Sequence, residues 1–212
     1  MDKSDPAGVA PRSFGAFLKA YGGLFDDKPD SGQFIRIAWI PSPLGPMLAG
    51  ADSEALRFLD FSDGQAIEAQ IASLRRTSRR PIARGDCSIL DRLRTELDAY
   101  FSGSLRSFTV PVVSPGTPFQ TLVWKALSDI PYGETRSYGD VAKSLGSPGA
   151  SRAVGAANGA NRVLIVIPCH RVVNADGSLG GFAGGVDRKR ALLELERSAG
   201  SRAAGVLAEG AR

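Results

Sequence analysis

The chain has 212 residues, 43% hydrophobic and 23% charged, which fits one large or two small globular domains. No apolar run approaches the roughly 18 residues of a membrane span, the start MDKSDPAGVAPRSF lacks the apolar stretch of a secretory signal, and two cysteines with one histidine give neither a disulfide framework nor a Cys/His zinc site. A reducing, cytoplasmic setting without a metal is therefore expected, and the net charge of +4 permits an anionic partner without requiring one.

Residues 1–33 read as an N-terminal extension rich in Gly, Pro and Asp, with FGAFLKAYGGLF as a short docking segment. The first globular unit, 34–113, opens on FIRIAWI, an expected strand, followed by the turn PSPLGP and two short strands, MLAGAD and ALRFLDF. A helix is expected over 64–75 and a second over 88–103. In the latter, Ile89, Leu90, Leu93, Leu97, Tyr100 and Phe101 recur at helical spacing and Gly103 ends the run. SFTVPVV reads as a returning strand. Strands then helices make this an α+β unit.

VSPGTP (113–118) reads as a linker, and a second unit spans 114–198. FQTLVWKALSDI is helical, with Phe119, Leu122, Val123, Ala126, Leu127 and Ile130 on one face and Trp124 read as core. In SYGDVAKSLG (137–146), Ser137 caps a helix with Asp140 three residues on, and Gly146 stops it. Ser147 and Pro148 are expected to open the next helix, SPGASRAVGAANG, at its cap and first position. Two short helices joined by a glycine-containing turn read as helix-turn-helix. On the second helix Ala150, Ala153, Val154 and Ala157 share a face, and Arg152 lies opposite. From this helix alone that arginine reads first as a solvated side chain, with a probe presented to DNA by a thin helix as the alternative.

VLIVI (163–167) reads as a buried strand, ended by Pro168 and followed by Cys169 and the single histidine, His170. Adjacent side chains diverge on either a strand or a helix, so a direct thiol–imidazole bond is awkward and a water relay fits better. A last helix is expected over 187–197, capped by Asp187, with a tail at 199–212. Its Glu196 falls on or beside the stripe of Leu192 and Leu193, where a carboxylate needs a partner. The partner is His170, in a Cys–His–Glu chain, or Arg190 or Arg197 at the helix end. An inert buried thiol remains the alternative for Cys169.

At Pro168-Cys169-His170-Arg171-Val172 the sequence resembles the O6-alkylguanine-DNA alkyltransferases, also called methylated-DNA–protein-cysteine methyltransferases. The likeness runs over about 34–197: TPFQ with VW, PYG with SYG and VA, SRAVG, the Asn before the aliphatic run, AGG and LLELE. It implies a ribonuclease-H-like α+β domain followed by a winged-helix-like domain that binds double-stranded DNA in the minor groove with little sequence preference. A flipped O6-alkylguanine would enter a pocket beside the cysteine.

By the same resemblance Cys169 is the alkyl acceptor, His170 acts through water, Glu196 is its acidic partner and Asn161 braces the active-site turn. Tyr138 donates to the guanine ring and helps rotate the phosphate. Arg152 fills the gap left by the flipped base, with Ser151, Ala153 and Asn158 on the DNA side. Val172, Phe182, Ala183, Gly184 and Gly185 form the substrate wall, with Ala183 where some members carry Ser. The reaction is a single, irreversible transfer without a cofactor. A monomer is expected, and cooperative binding and O4-alkylthymine repair are compatible with the likeness. The zinc ligands of some members are absent, residues 1–33 are too short for the extra domain of the adaptive-response members, and Cys87 reads as structural. The competing readings are a DNA-binding regulator or lesion sensor without chemistry, and a Cys-His hydrolase.

Overall fold

A computed structural model describes residues 14–25, 34–63 and 67–209 of the chain. Helix α1 (Phe14–Tyr21) lies in the segment FGAFLKAYGGLF, and its Phe17 is fully buried, the ring 6.1 Å from Trp39 and 6.2 Å from Phe25. Strands β1 (Ile35–Ile40), β2 (Met47–Ala51) and β3 (Leu56–Phe61) form an antiparallel meander, and α2 (Ile67–Ser78) follows. The expected start of α2 at 64 lies outside the described residues. The reading over 81–85 missed β4 (Ile82–Arg84), which pairs parallel with β1 and completes the order β3-β2-β1-β4. Three residues carry too little alternation to announce a strand.

Both faces of the sheet are buried, and the side-chain period of two sorts them. Ile35, Ile37, Leu48 and Phe58 face α1 and α2, where they meet Phe17, Ile71 and Leu74. Ala38, Ile40, Met47, Ala49, Leu59 and Phe61 face the other way, into one core shared with α3 (Ser88–Phe101) and with buried residues between Val110 and Leu192. Gly103 ends the α3 run at φ +79°, a left-handed conformation that glycine adopts without a Cβ penalty. SFTVPVV does not form a strand. Only Val112 bridges, to Leu56, while the N–H groups of Thr109 and Val110 donate to the Glu96 carboxylate at 2.8 and 3.0 Å. A side chain thus replaces the ladder, and Pro111 has no N–H to contribute.

Helix α4 (Pro118–Ser128) starts inside the expected linker, through a capping box between Thr117 and Gln120. Val123, Trp124 and Leu127 are its buried residues, and the Trp124 indole donates to the Ala157 carbonyl at 2.9 Å. Leu122, expected on the inner face, is 56% exposed. The strand β5 (Arg136–Ser137) leads into α5 (Tyr138–Ser144), where Ser137 and Asp140 form a reciprocal box at 3.0 and 3.2 Å. Helix α6 (Ser151–Gly159) begins later than expected, because Pro148 and Gly149 lie in a turn rather than in its first turn. A 3-10 turn (Cys169–Arg171) precedes β6 (Val172–Val173), which pairs parallel with β5. Helix α7 (Val186–Glu209) does not stop at 197 but continues to Glu209. Among the described residues no helix is long and apolar enough to cross a membrane.

Candidate active site

The aliphatic run that delivers Cys169 is not a strand. Val163 makes a single bridge to Leu59 of β3, the chain doubles back, and Ile167 bridges to Leu164. The Leu59 N–H donates to the Arg162 carbonyl and the Leu164 N–H to the Leu59 carbonyl, both at 2.8 Å. Continuous apolar residues signal burial, and a buried tight turn meets that condition as well as a strand does. Ile165 takes φ +71°, a left-handed conformation that costs a β-branched residue roughly 1–2 kcal/mol. Its burial, with Val163 and Leu164, offsets that strain.

Asn161 closes the turn from within. Its Oδ1 accepts from the Val163 N–H at 3.0 Å, while Nδ2 donates to the Ile167 carbonyl at 2.9 Å and to the Cys169 Sγ at 3.1 Å. One buried amide therefore ties both ends of the loop and the thiol together. Cys169 is 2% exposed, and burial pushes its thiol up to about 11, against the opposing pull of the Asn161 bond and the Lys189 charge. At rest the thiol is neutral.

Lys189 went unnoticed in the sequence, yet it is fully buried and lowered to about 8 by desolvation. Its ammonium donates to the carbonyls of Val172 at 2.6 Å and Gly181 at 3.3 Å, and to that of Leu179. The signal was present: Lys189, Leu192, Leu193 and Glu196 fall at i, i+3, i+4 and i+7 of α7. A cation and a carboxylate both ride the apolar stripe.

Glu196 turns to His170, not to Arg190, which pairs with Asp187 at 2.8 Å. Its Oε1 lies 2.9 Å from His170 Nε2 and accepts from Tyr100 OH at 2.7 Å. Its Oε2 accepts from Arg171 Nε and from the Gly133 N–H, each at 3.0 Å. Burial pushes this carboxyl up, but His170 and Arg171 outweigh it and hold the group at about 2. Burial lowers His170, opposed by the Glu196 bond, so the ring is neutral. An ionised carboxylate only accepts, so Nε2 carries the proton. Nδ1 is left as a buried acceptor without a hydrogen-bond partner among the described residues.

A pocket of about 400 Å³ opens at the thiol, between Tyr138, Asn158, Gly181, Phe182 and Ala183. Burial raises the Tyr138 hydroxyl above its ordinary value, so it remains a proton donor. Of the expected substrate wall, Val172, Gly184 and Gly185 do not line this pocket. Val172 is fully buried with its carbonyl on Lys189, and Gly184 packs beneath Phe61 and Phe182. On α6, Arg152 is exposed and Ser151 half-buried. Ala153 is exposed rather than on the inner stripe, whereas Asn158 is buried beside the pocket rather than on the outer face. Both differences put the buried face of α6 on Val154, Ala157 and Asn158, displaced round the helix from the expected stripe. Among the described residues no three His, Cys, Asp or Glu side chains converge as a metal site.

Comparison with known proteins matches two family models. Residues 35–113 match the ribonuclease-like domain of 6-O-methylguanine DNA methyltransferase, and residues 118–198 match its DNA-binding domain. A methylated-DNA–protein-cysteine methyltransferase of Methanosarcina acetivorans is 44% identical over 158 residues, covering 74% of this chain and 95% of that protein. The crystal structure of Mycobacterium tuberculosis O6-methylguanine methyltransferase superposes with a TM-score of 0.67 at 44% identity, covering 78% of this chain and 94% of that one. A second structure of the mycobacterial protein, in complex with DNA, gives a TM-score of 0.65 at 44% identity over 77% of this chain and 94% of that one. With a buried thiol, an acid-tethered imidazole and a helix-turn-helix in one unit, and with both domain models matched in order, the chain belongs to the 6-O-methylguanine DNA methyltransferase family.

Proposed function

We propose that this protein repairs DNA by moving the alkyl group of O6-alkylguanine onto Cys169, once and irreversibly. The observation that carries this reading is the Cys169 thiol at the edge of a base-sized pocket, hydrogen-bonded by Asn161 and adjacent to a neutral, Glu196-tethered His170. Relatives from Methanosarcina acetivorans and Mycobacterium bovis are methylated-DNA–protein-cysteine methyltransferases, which supports the same reaction class.

The thiol proton passes towards Nδ1 of His170 through water, and Glu196 stabilises the imidazolium that forms. The Lys189 charge and the Asn161 amide favour the thiolate. Sγ attacks the alkyl carbon, the Sγ–C bond forms as the C–O6 bond breaks, and the electron pair leaves with guanine. Tyr138 donates a hydrogen bond to the departing ring, and the proton held on His170 passes through water to the guanine, leaving both the base and the imidazole neutral. The product is S-alkylcysteine and an unmodified guanine still bonded in the strand. A thioether has no easy leaving group, so the protein is consumed, and the damaged base itself supplies the alkyl group.

A base within a duplex cannot reach a buried thiol, so the guanine is extruded. Helix α6 meets the minor groove, its exposed small residues allow close approach, and Arg152 occupies the gap in the stack. Phosphate contacts set affinity, so sequence preference is slight.

Intact-protein mass measurement after incubation with DNA holding O6-methylguanine tests the proposal. One methyl should appear on the peptide containing Cys169, with one equivalent transferred per chain. Undiminished transfer by Cys169→Ser would overturn it. Tight binding without covalent gain would favour a lesion sensor, and repeated ester turnover a hydrolase.

A further inference from the structure

Arg188 joins the loop that precedes α7 to two distant segments of the first unit. Its Nε donates to the Leu44 carbonyl at 2.8 Å, Nη1 to the Gly184 carbonyl at 3.1 Å, and Nη2 pairs with Asp63 at 2.6 Å. The guanidinium also lies 4.1 Å over the ring of Phe61. Leu44, Phe61 and Asp63 belong to the first unit, whereas Gly184 belongs to the loop whose Phe182 and Ala183 line the Cys169 pocket. The fork of an arginine can hold several fixed acceptors at once, which a point charge cannot.

The loop has no slack beneath this clamp. A Cβ on Gly184 would stand 2.7 Å from Phe61 and 2.8 Å from Phe182. The Phe182 ring in turn sits edge-on to His170, with centroids 6.4 Å apart. Lys189, the next residue of α7, holds the other end of the same loop through Leu179 and Gly181. Neighbouring side chains on a helix diverge by about 100°, so one turn of α7 pins the loop from two sides.

We infer that Arg188 is a positioning residue that sets the size of alkyl group this protein accepts. By tying Gly184 to Leu44 and Asp63, it makes the first unit the back-stop of the pocket wall. Without the tie the loop lifts, a bulky group gains room, and a methyl group loses little. The inference rests on the reading of Cys169 as the alkyl acceptor.

The test is single-turnover transfer by the full chain from duplexes holding O6-methylguanine or O6-benzylguanine. Arg188→Ala and Asp63→Asn should each raise the benzyl-to-methyl rate ratio about tenfold, the scale of discrimination that a pocket wall exerts against one apolar group. Arg188→Lys, which keeps the charge but not the fork, should raise it less. Phe182→Ala serves as the control that opens the wall directly. Proportional loss of both rates in the Arg188 and Asp63 variants would reduce the clamp to a structural role and overturn the inference. So would an unmoved ratio in both while Phe182→Ala shifts it. Absence of any alkyl on wild-type Cys169 would instead remove the underlying reading. Should Arg188→Ala fail to fold, Asp63→Asn decides alone.

Discussion

Glu196 Oε1 lies 2.9 Å from His170 Nε2, and neither side chain is exposed to solvent. The same carboxylate receives Arg171, Tyr100 and the Gly133 N–H, so a single ionised group organises residues from three other parts of the chain. A buried charge with this many donors is stable only while every partner is present.

Acid should expose that dependence. Glu196 falls from 4.5 to about 2 on folding, so its contribution to stability is present above pH 4.5 and is lost as pH drops towards 2. Urea midpoints of the wild type should decline across that window. Glu196→Gln should flatten this part of the decline and lower stability at neutral pH by ~3–5 kcal/mol, because Arg171 is left buried without its counter-charge. An unchanged slope in the variant would place the acid sensitivity elsewhere.

Asn161 carries both structure and reactivity. Asn161→Ala removes the donors to Ile167 and Cys169, which should cost about 1–3 kcal/mol for the acceptors left unpaired. Transfer from free O6-benzylguanine should slow by up to about a hundredfold, the effect of misplacing a reacting atom by roughly 1 Å. A lowered Tm with an unchanged rate would show that the amide only supports the turn.

Arg152→Ala separates DNA handling from chemistry. The side chain is exposed on α6 and lies away from the thiol's hydrogen bonds. Repair of duplex DNA should slow by about tenfold or more, within the few kcal/mol that extruding a base costs, while reaction with the free base stays near wild type. Equal losses on the two substrates would contradict a role in base extrusion.

Lys189→Met should damage the site in two ways. The thiolate loses a nearby positive charge, and the carbonyls of Val172, Leu179 and Gly181 lose their shared donor. Slower reaction with free O6-benzylguanine should accompany faster proteolysis within 174–182. Wild-type behaviour in both assays would make the buried ammonium dispensable.

Local chemistry was legible where the interaction closes within a few residues. The Ser137–Asp140 box, the Gly103 stop and the apolar stripe of α3 are all of this kind. Misreadings arose where distant partners intervene. VLIVI became a turn because Leu59 and Asn161 satisfy its backbone, and SFTVPVV lost its ladder to Glu96. Pro148 marked a turn rather than a helix start, and packing of α6 left Ala153 exposed and buried Asn158 with Val154 and Ala157.

By itself, the sequence determined that a thiol and an imidazole follow a buried segment, that two capped or glycine-ended helices stand before them, and that Glu196 shares an apolar stripe. Only the tertiary structure decided whom that carboxylate meets. Tyr100 lies 96 residues from Glu196 and Arg188 lies 144 residues from Leu44, so no periodicity connects them. The physical reason is burial: once packing excludes water from α7, each charge on its inner face must take a partner from whichever segment the fold has brought within reach.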